Sequence, residues 1–372
     1  MSWLLLLACN GPDSPGPVSD DSPVTDDSGA DTDDSDPVED CFIVPDTISP
    51  KDGAREVYSR QDLSVQFTGE VSTASFRLRA THGEASGELE ASRPGVDDGA
   101  DDFQPHEVEL TVDWNASREI ATLEHDGMGA NTRYALDITV CGQTYTSTFS
   151  TDVYGDPLDI TDEELVDNTF VVELSEVTFT EPAGFGSFLS VYLDVPILIG
   201  VVSIDGDSMD MLGAQGRLTS DGRYVQKKRQ TLEDGEKYTV PTWDFPGVDY
   251  SQAPFWAGES ELIELRYDGT LIPVHNFHVE GTFAPDGRSF GGGRIWGLGD
   301  TRHMAEIFNS DDANYVCGLV ETAGASCEPC PDDGEPYCLF LKGEDIEAER
   351  ERSLVLEPQE FMLWEDWEAQ QE

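Results

Sequence analysis

The chain has 372 residues, 38% hydrophobic and 26% charged, and its 76 acidic side chains outweigh 21 basic ones to give a formal charge of −55. Such a field repels phosphate backbones, so nucleic-acid binding is excluded as a function. The length exceeds the roughly 100–200 residues of one domain, and no apolar run approaches the ~20 residues of a spanning helix, so two globular units with tails are expected.

Met1 to Cys9 reads Met-Ser-Trp-Leu-Leu-Leu-Leu-Ala-Cys, an apolar run closed by a small residue and a cysteine. It resembles a bacterial lipobox, with Leu6, Leu7 and Ala8 at the positions before the cysteine. The resemblance implies a short lipoprotein-type signal over 1–9, lipidation at Cys9, and a chain held to the cell envelope at the outer membrane or cell surface. A frayed apolar N-terminus of a cytosolic protein is the competing reading. Residues 10–40 carry 11 acidic side chains and no basic one. They lack side chains to drive collapse and read as a disordered acidic linker whose self-repulsion favours extension. Asp31, Asp33, Asp34 and Asp36 are spaced like calcium ligands but lack the glycine and the bidentate glutamate of a calcium loop, so diffuse cation binding is expected there.

From 41 to 152 the period is two. Leu63, Val65 and Phe67 alternate with polar neighbours, as do Phe76 and Leu78, then Val108, Leu110, Val112 and Trp114, then Tyr134, Leu136, Ile138 and Val140. Short alternating strands broken by Gly, Pro and Asp predict an antiparallel sandwich. Ile48-Ser49-Pro50-Lys51-Asp52-Gly53-Ala54 leading into Leu63–Phe67, with Asn131-Thr132-Arg133-Tyr134 and the closing Thr148-Phe149-Ser150-Thr151, resembles a bacterial Ig-like domain of the SbsA type. That resemblance implies a spacer or presentation module. Tyr134 suits a tyrosine corner, with a half-buried aromatic as the alternative. No cofactor is expected beyond calcium, for which the acidic loop Asp97-Asp98-Gly99-Ala100-Asp101-Asp102 is the one place between strands.

The segment 156–372 predicts a second β-rich barrel or sandwich, making the whole chain all-β. Thr161-Asp162-Glu163-Glu164 is a capping-box pattern and predicts one helical turn. Ile197 to Ile204 predicts a core strand ending in a turn at Asp205-Gly206-Asp207. Phe277–Phe283, Pro285-Asp286-Gly287 and Ser289–Gly297 predict a hairpin, with Gly291, Gly292 and Gly293 leaving room for a bulge, an approaching chain or a ligand. A short helix is expected near Thr301 to Phe308, and the C-terminus reads as an acidic tail.

Candidate chemistry is sparse. His275, His278 and His303 with Glu280 form the one histidine-rich cluster, but residues three apart on a strand face opposite sides unless a bulge intervenes, so no metal site is expected. Gly184-Phe185-Gly186-Ser187-Phe188 lacks the final glycine of a nucleophile elbow. Lys227-Lys228-Arg229, near Arg217 and Arg223, is a solvated strand surface or a site for an anionic glycan.

Cys317, Cys327, Cys330 and Cys338 follow the spacing Cys-x9-Cys-x2-Cys-x7-Cys. In an exported protein this predicts two disulfides with three pairings open, and Cys41 and Cys141 are candidates for a third. A zinc ribbon would need a second Cys-x-x-Cys, and Pro331, Gly334 and Pro336 oppose the helix that a thioredoxin-like site requires after its cysteines. The expectation is therefore an envelope lipoprotein with a structural, ligand-binding or presentation role. Its partners would be a membrane, through the lipid anchor, and a glycan or protein ligand. The alternative is an anchored extracytoplasmic hydrolase acting through the C-terminal unit.

Overall fold

The computed structural model describes residues 42–83, 105–182, 186, 195–232, 235–267, 270–308, 310–322 and 324–371. All belong to one compact unit spanning 40–372. The lipobox-like run 1–9, the acidic stretch 10–40, Cys41 and the loop at 97–102 lie outside the described residues.

The first half is a two-sheet sandwich. Its strands are β1 (Ala54–Val57), β2 (Leu63–Gln66), β3 (Ala74–Gly83), β4 (Glu107–Val108), β5 (Thr111–Trp114), β6 (Ile120–Glu124), β7 (Thr132–Val140) and β8 (Gln143–Thr151). One sheet runs β1-β8-β7-β3-β4, the other β2-β6-β5. Alternation sends Leu63 and Val65 of β2, Leu123 of β6, Leu136 and Ile138 of β7 and Phe149 of β8 into one shared core. Val108 to Trp114 was expected as one strand, but it divides. β4 pairs with β3 in one sheet and β5 with β6 in the other. Val112 ends 36% exposed, because β5 is a sheet edge and the chain changes sheets just before it.

The second half is a closed barrel. It comprises β9 (Thr169–Glu173), β10 (Thr178–Glu181), β11 (Pro196–Asp205), β12 (Ser208–Leu218), β13 (Tyr224–Gln226), β14 (Arg229–Thr231), β15 (Lys237–Thr239), β16 (Trp243–Asp249), β17 (Phe255–Tyr267), β18 (Thr270–Phe283), β19 (Ser289–Asp300) and β20 (Cys338–Glu351). Hydrogen bonds connect β9-β11-β12-β16-β17-β18-β19-β20 in turn, and β20 returns to pair with β9, so eight antiparallel strands close up and down. β10 pairs with β20 ahead of that closure, and β14 and β15 form a separate hairpin. The helices are short: α1 (Asp162–Leu165), α2 (Met304–Ile307), α3 (Tyr315–Glu321) and α4 (Trp364–Gln371).

Local sequence explains several of these elements. Glu164 accepts a hydrogen bond from the Thr161 N–H at 3.0 Å, the reciprocal half of a capping box, which starts α1. Asp205 pairs with Ser208, leaving Gly206 and Asp207 as a two-residue hairpin turn. The Ile197–Ile204 run is apolar on both faces for a tertiary reason. Ile199 and Val201 face the barrel core, while Leu198 is covered on the outside by Leu356 of the C-terminal segment. That segment, acidic in sequence, is a strap: its backbone bonds Thr242 and Thr239 through Gln359 and Met362.

One end of the barrel is filled by aromatics. Phe170 lies 5.4 Å from Phe283 and 5.5 Å from Phe290, and Trp256 packs on Phe290 at 5.2 Å. Near this end the sandwich docks. The Tyr58 hydroxyl meets Thr282 Oγ1 at 2.7 Å, and Arg60 donates to Gln252 at 2.7 Å while lying over the Phe255 ring. The glycine triplet is where this happens. A Cβ at Gly291 would sit 2.2 Å from the Tyr154 ring and one at Gly292 2.2 Å from Tyr58, so the approach these glycines permit is taken by two tyrosines. The register of β19 also shifts here, giving the expected bulge.

Candidate functional site

Beyond the aromatic plug the barrel is not filled. An apolar cavity of about 70 Å³ lies among Val172, Ile199, Trp243, Phe245, Val274, Phe277, Ile346 and their neighbours, exposing only apolar surface to the space. One water needs roughly 10–15 Å³ counted the same way, and it also needs polar partners. An apolar void of this kind favours hydrocarbon over water. Glu280 is the one ionisable residue along the wall, and its carboxylate is held by Arg294.

Strand alternation places these side chains. Trp243 and Phe245 alternate along β16, Ile263 and Leu265 along β17, and Ile272 and Val274 along β18. Gly213 of β12 lets Trp243 lie flat across the wall, since a Cβ there would be 2.8 Å from the indole. The Trp243 Nε1–H donates to the Glu264 carbonyl at 3.2 Å, which fixes the ring. None of these residues was singled out as a site from sequence. The signal was present as alternation, but alternation alone does not tell a filled interior from a hollow one.

The residues that were singled out do not converge. Asn276, at φ 49°, interrupts β18 between His275 and His278. Their cross-strand partners Leu262 and Glu259 are both exposed, so the two histidines share the outer wall after all. His278 stacks on Trp296 at 4.8 Å and its Nδ1 lies 3.2 Å from Glu259, while His303 is exposed at the start of α2. No three of these groups come close enough to share an ion. Among the described residues the one such group is Cys330, Asp332 and Asp333, and the Cys330 sulfur is committed to a disulfide.

Cys317 bonds Cys327 and Cys330 bonds Cys338, so the two cysteines of the Cys-x-x-Cys do not pair with each other. Arg302 joins Asp300 at 2.6 Å and Asp333 besides, tying the disulfide segment to the end of β19. Cys141 is also disulfide-bonded. The basic run is largely occupied: Lys228 pairs with Glu357, Arg223 with Asp221, and Arg229 lies over Trp364. Of the Gly184–Phe188 segment only Gly186 is among the described residues.

Comparison with known proteins adds little. No family model matches the chain, and no curated protein matches it in sequence. Solved structures include two distant likenesses. A DUF4784 family protein from Bacteroides caccae ATCC 43185 aligns at 8% identity and a TM-score of 0.19, over 68% of this chain and 80% of that one. The S-layer protein rSbsC(31-844) aligns at 10% identity and a TM-score of 0.17, over 82% of this chain and 54% of that one. Scores this low carry no argument about fold or function.

Proposed function

We propose that this chain is a lipid-anchored cell-envelope protein that holds an apolar ligand in its C-terminal barrel, with the N-terminal sandwich serving as an Ig-like spacer behind it. The observation that carries the ligand reading is the void. Protein interiors are packed to crystal density, and eight-stranded barrels either fill with side chains or hold one small ligand. Leaving an apolar space beside a fully packed aromatic plug forfeits dispersion contacts that a hydrocarbon would restore.

The spacer reading draws on Tyr134. It is fully buried at the start of β7, and its hydroxyl accepts a hydrogen bond from the Gly129 N–H at 2.6 Å, a backbone group upstream as a tyrosine corner requires. The anchor reading draws on the Leu6-Leu7-Ala8-Cys9 resemblance and on three regions of disulfide chemistry at Cys141, Cys317 and Cys330. The hydrolase alternative has the His278–Glu259 contact in its favour, but Glu259 is 76% exposed on the outer wall.

The test is binding of toluene, a neutral hydrocarbon small enough for this cavity, read by isothermal titration calorimetry. Wild-type protein is expected to bind, and Val274→Trp, which fills the cavity, to lose binding while keeping its β circular-dichroism spectrum. Absence of binding, or binding indifferent to the filled cavity, would sink the ligand reading. Intact mass of protein from native membranes tests the anchor separately: an unmodified Cys9 overturns it.

A further inference from the structure

The barrel closes, but one of its seams is thinly laddered. β16 and β17 share a single registered pair, Asp249 with Ala257, although β17 continues to Tyr267. Toward the cavity, side chains meet the β17 carbonyls instead. Trp243 donates to the Glu264 oxygen, and the Gln215 Nε2 donates to the Arg266 oxygen at 3.0 Å. Trp243 and Phe245 border the cavity on one side of this seam, Ile263 and Leu265 on the other.

Alternation turns Arg266 away from the cavity-facing Leu265, to the outer side of the same seam. There it lies under the C-terminal strap, with its guanidinium over the Phe361 ring at 5.0 Å. It is 9% exposed, its Nε has no hydrogen-bond partner, and its nearest carboxylate, Glu264, stands at 3.9 Å. Gln359, two residues before Phe361 and 6% exposed, leaves both side-chain amide atoms unpartnered. Three of the nine such orphaned atoms among the described residues therefore belong to Arg266 and to the strap that covers it.

Their proximity follows from bonds already described. Arg266 lies on Phe361, Gln359 stands two residues before that ring on the same strap, and the Gln359 backbone bonds Thr242, the residue before Trp243. Burying a guanidinium against an aromatic ring without a close anion leaves its desolvation uncompensated. Consistent with that, burial pulls Arg266 below the ordinary arginine range. A guanidinium edge that includes Nε suits a planar carboxylate, which it can grip with two parallel bonds.

We infer that the barrel's ligand is a carboxylate-bearing hydrocarbon chain, which passes between β16 and β17 into the cavity and leaves its carboxylate on Arg266, with Gln359 completing the headgroup site. This rests on the apolar-ligand reading above and adds to it a headgroup, a charge and a port of entry.

The experiment titrates the full chain calorimetrically with octanoic acid, whose chain suits a cavity of this size, and, separately, with its methyl ester. The wild type is expected to bind the acid about tenfold or more tightly than the ester, as a hydrogen-bonded charge pair implies. Arg266→Gln and Gln359→Leu are each expected to bring the acid toward the ester's affinity, leaving ester binding unchanged. Unchanged ester binding also shows that the variant is folded; if Arg266→Gln fails to fold, Gln359→Leu carries the test. Equal affinities in the wild type, or an acid preference that survives both variants, overturns the headgroup site and leaves the apolar cavity standing. Binding of neither ligand overturns both.

Discussion

The sandwich and the barrel solve the same problem with opposite results. Each takes strands of alternating pattern and turns one face inward. In the sandwich two faces meet across one core, and side chains from both sheets interdigitate until Tyr134 and Phe149 stack at 5.7 Å with neither exposed. In the barrel the inward faces converge on an axis, and eight strands make a wall too wide for the residues present to fill. Aromatics suffice at the end nearest the sandwich, around Phe170, Phe283 and Phe290; further along, Val172, Ile199 and Val274 leave space. The same binary pattern thus yields a packed core or a chamber, depending on closure and on side-chain volume.

Substitutions can break that comparison. The largest effect is expected at the aromatic plug, where Phe283→Ala removes the ring shared by Phe170, Tyr250 and Trp256. Urea unfolding should show a loss of about 3–5 kcal/mol. A smaller loss would mean that the plug is as loosely packed as the chamber.

One enlargement made in both cores should act with opposite sign. Val65→Leu in the sandwich overpacks and is expected to cost about 1–3 kcal/mol. Val274→Leu, which borders the chamber, is expected to be neutral or stabilising, by up to about 1 kcal/mol. Chemical denaturation of the two variants side by side checks this, and equal losses would remove the distinction between the cores.

The smallest effect concerns the junction. Burial, followed by the charges of Glu347, Glu56 and Asp156, pushes Asp152 up to about 7, against the Tyr154 N–H that its carboxylate accepts. The folded chain therefore keeps a proton that the unfolded chain has released, and stability from this group falls as pH rises from its ordinary value of 3.8 through about 7. Asp152→Asn retains an oxygen for Tyr154 and cannot ionise. It should raise the melting temperature above pH 7, by on the order of 2–4 °C per kcal/mol recovered, and converge with wild type at pH 4. A pH-independent difference would show that Asp152 is ionised throughout.

Much of the fold was legible locally. The strands at Leu63, Phe76 and Tyr134, the hairpins at Gly206 and Gly287, the capping box at Thr161 and a helix near Met304 all rest on signals within a few residues. The failures were long-range. Val108–Trp114 read as one strand because the change of sheets between β4 and β5 leaves no local mark. The C-terminal segment read as an acidic tail because its acids outnumber its anchors, yet Leu356 and Gln359 are buried. His275 and His278 were placed on opposite faces by the strand period, and a single residue at positive φ, Asn276, reversed that.

For the candidate site almost nothing was legible. Residue order alone determined the all-β class, most strand positions and the tight turns, because periodicity and turn chemistry act over neighbouring residues. Tertiary structure alone decided that the barrel closes through β20 and β9, that its middle is hollow, and that Arg266 lies buried under the strap that carries Gln359 and Phe361. Those properties depend on volumes and pairings among residues far apart in the chain, which no local pattern encodes.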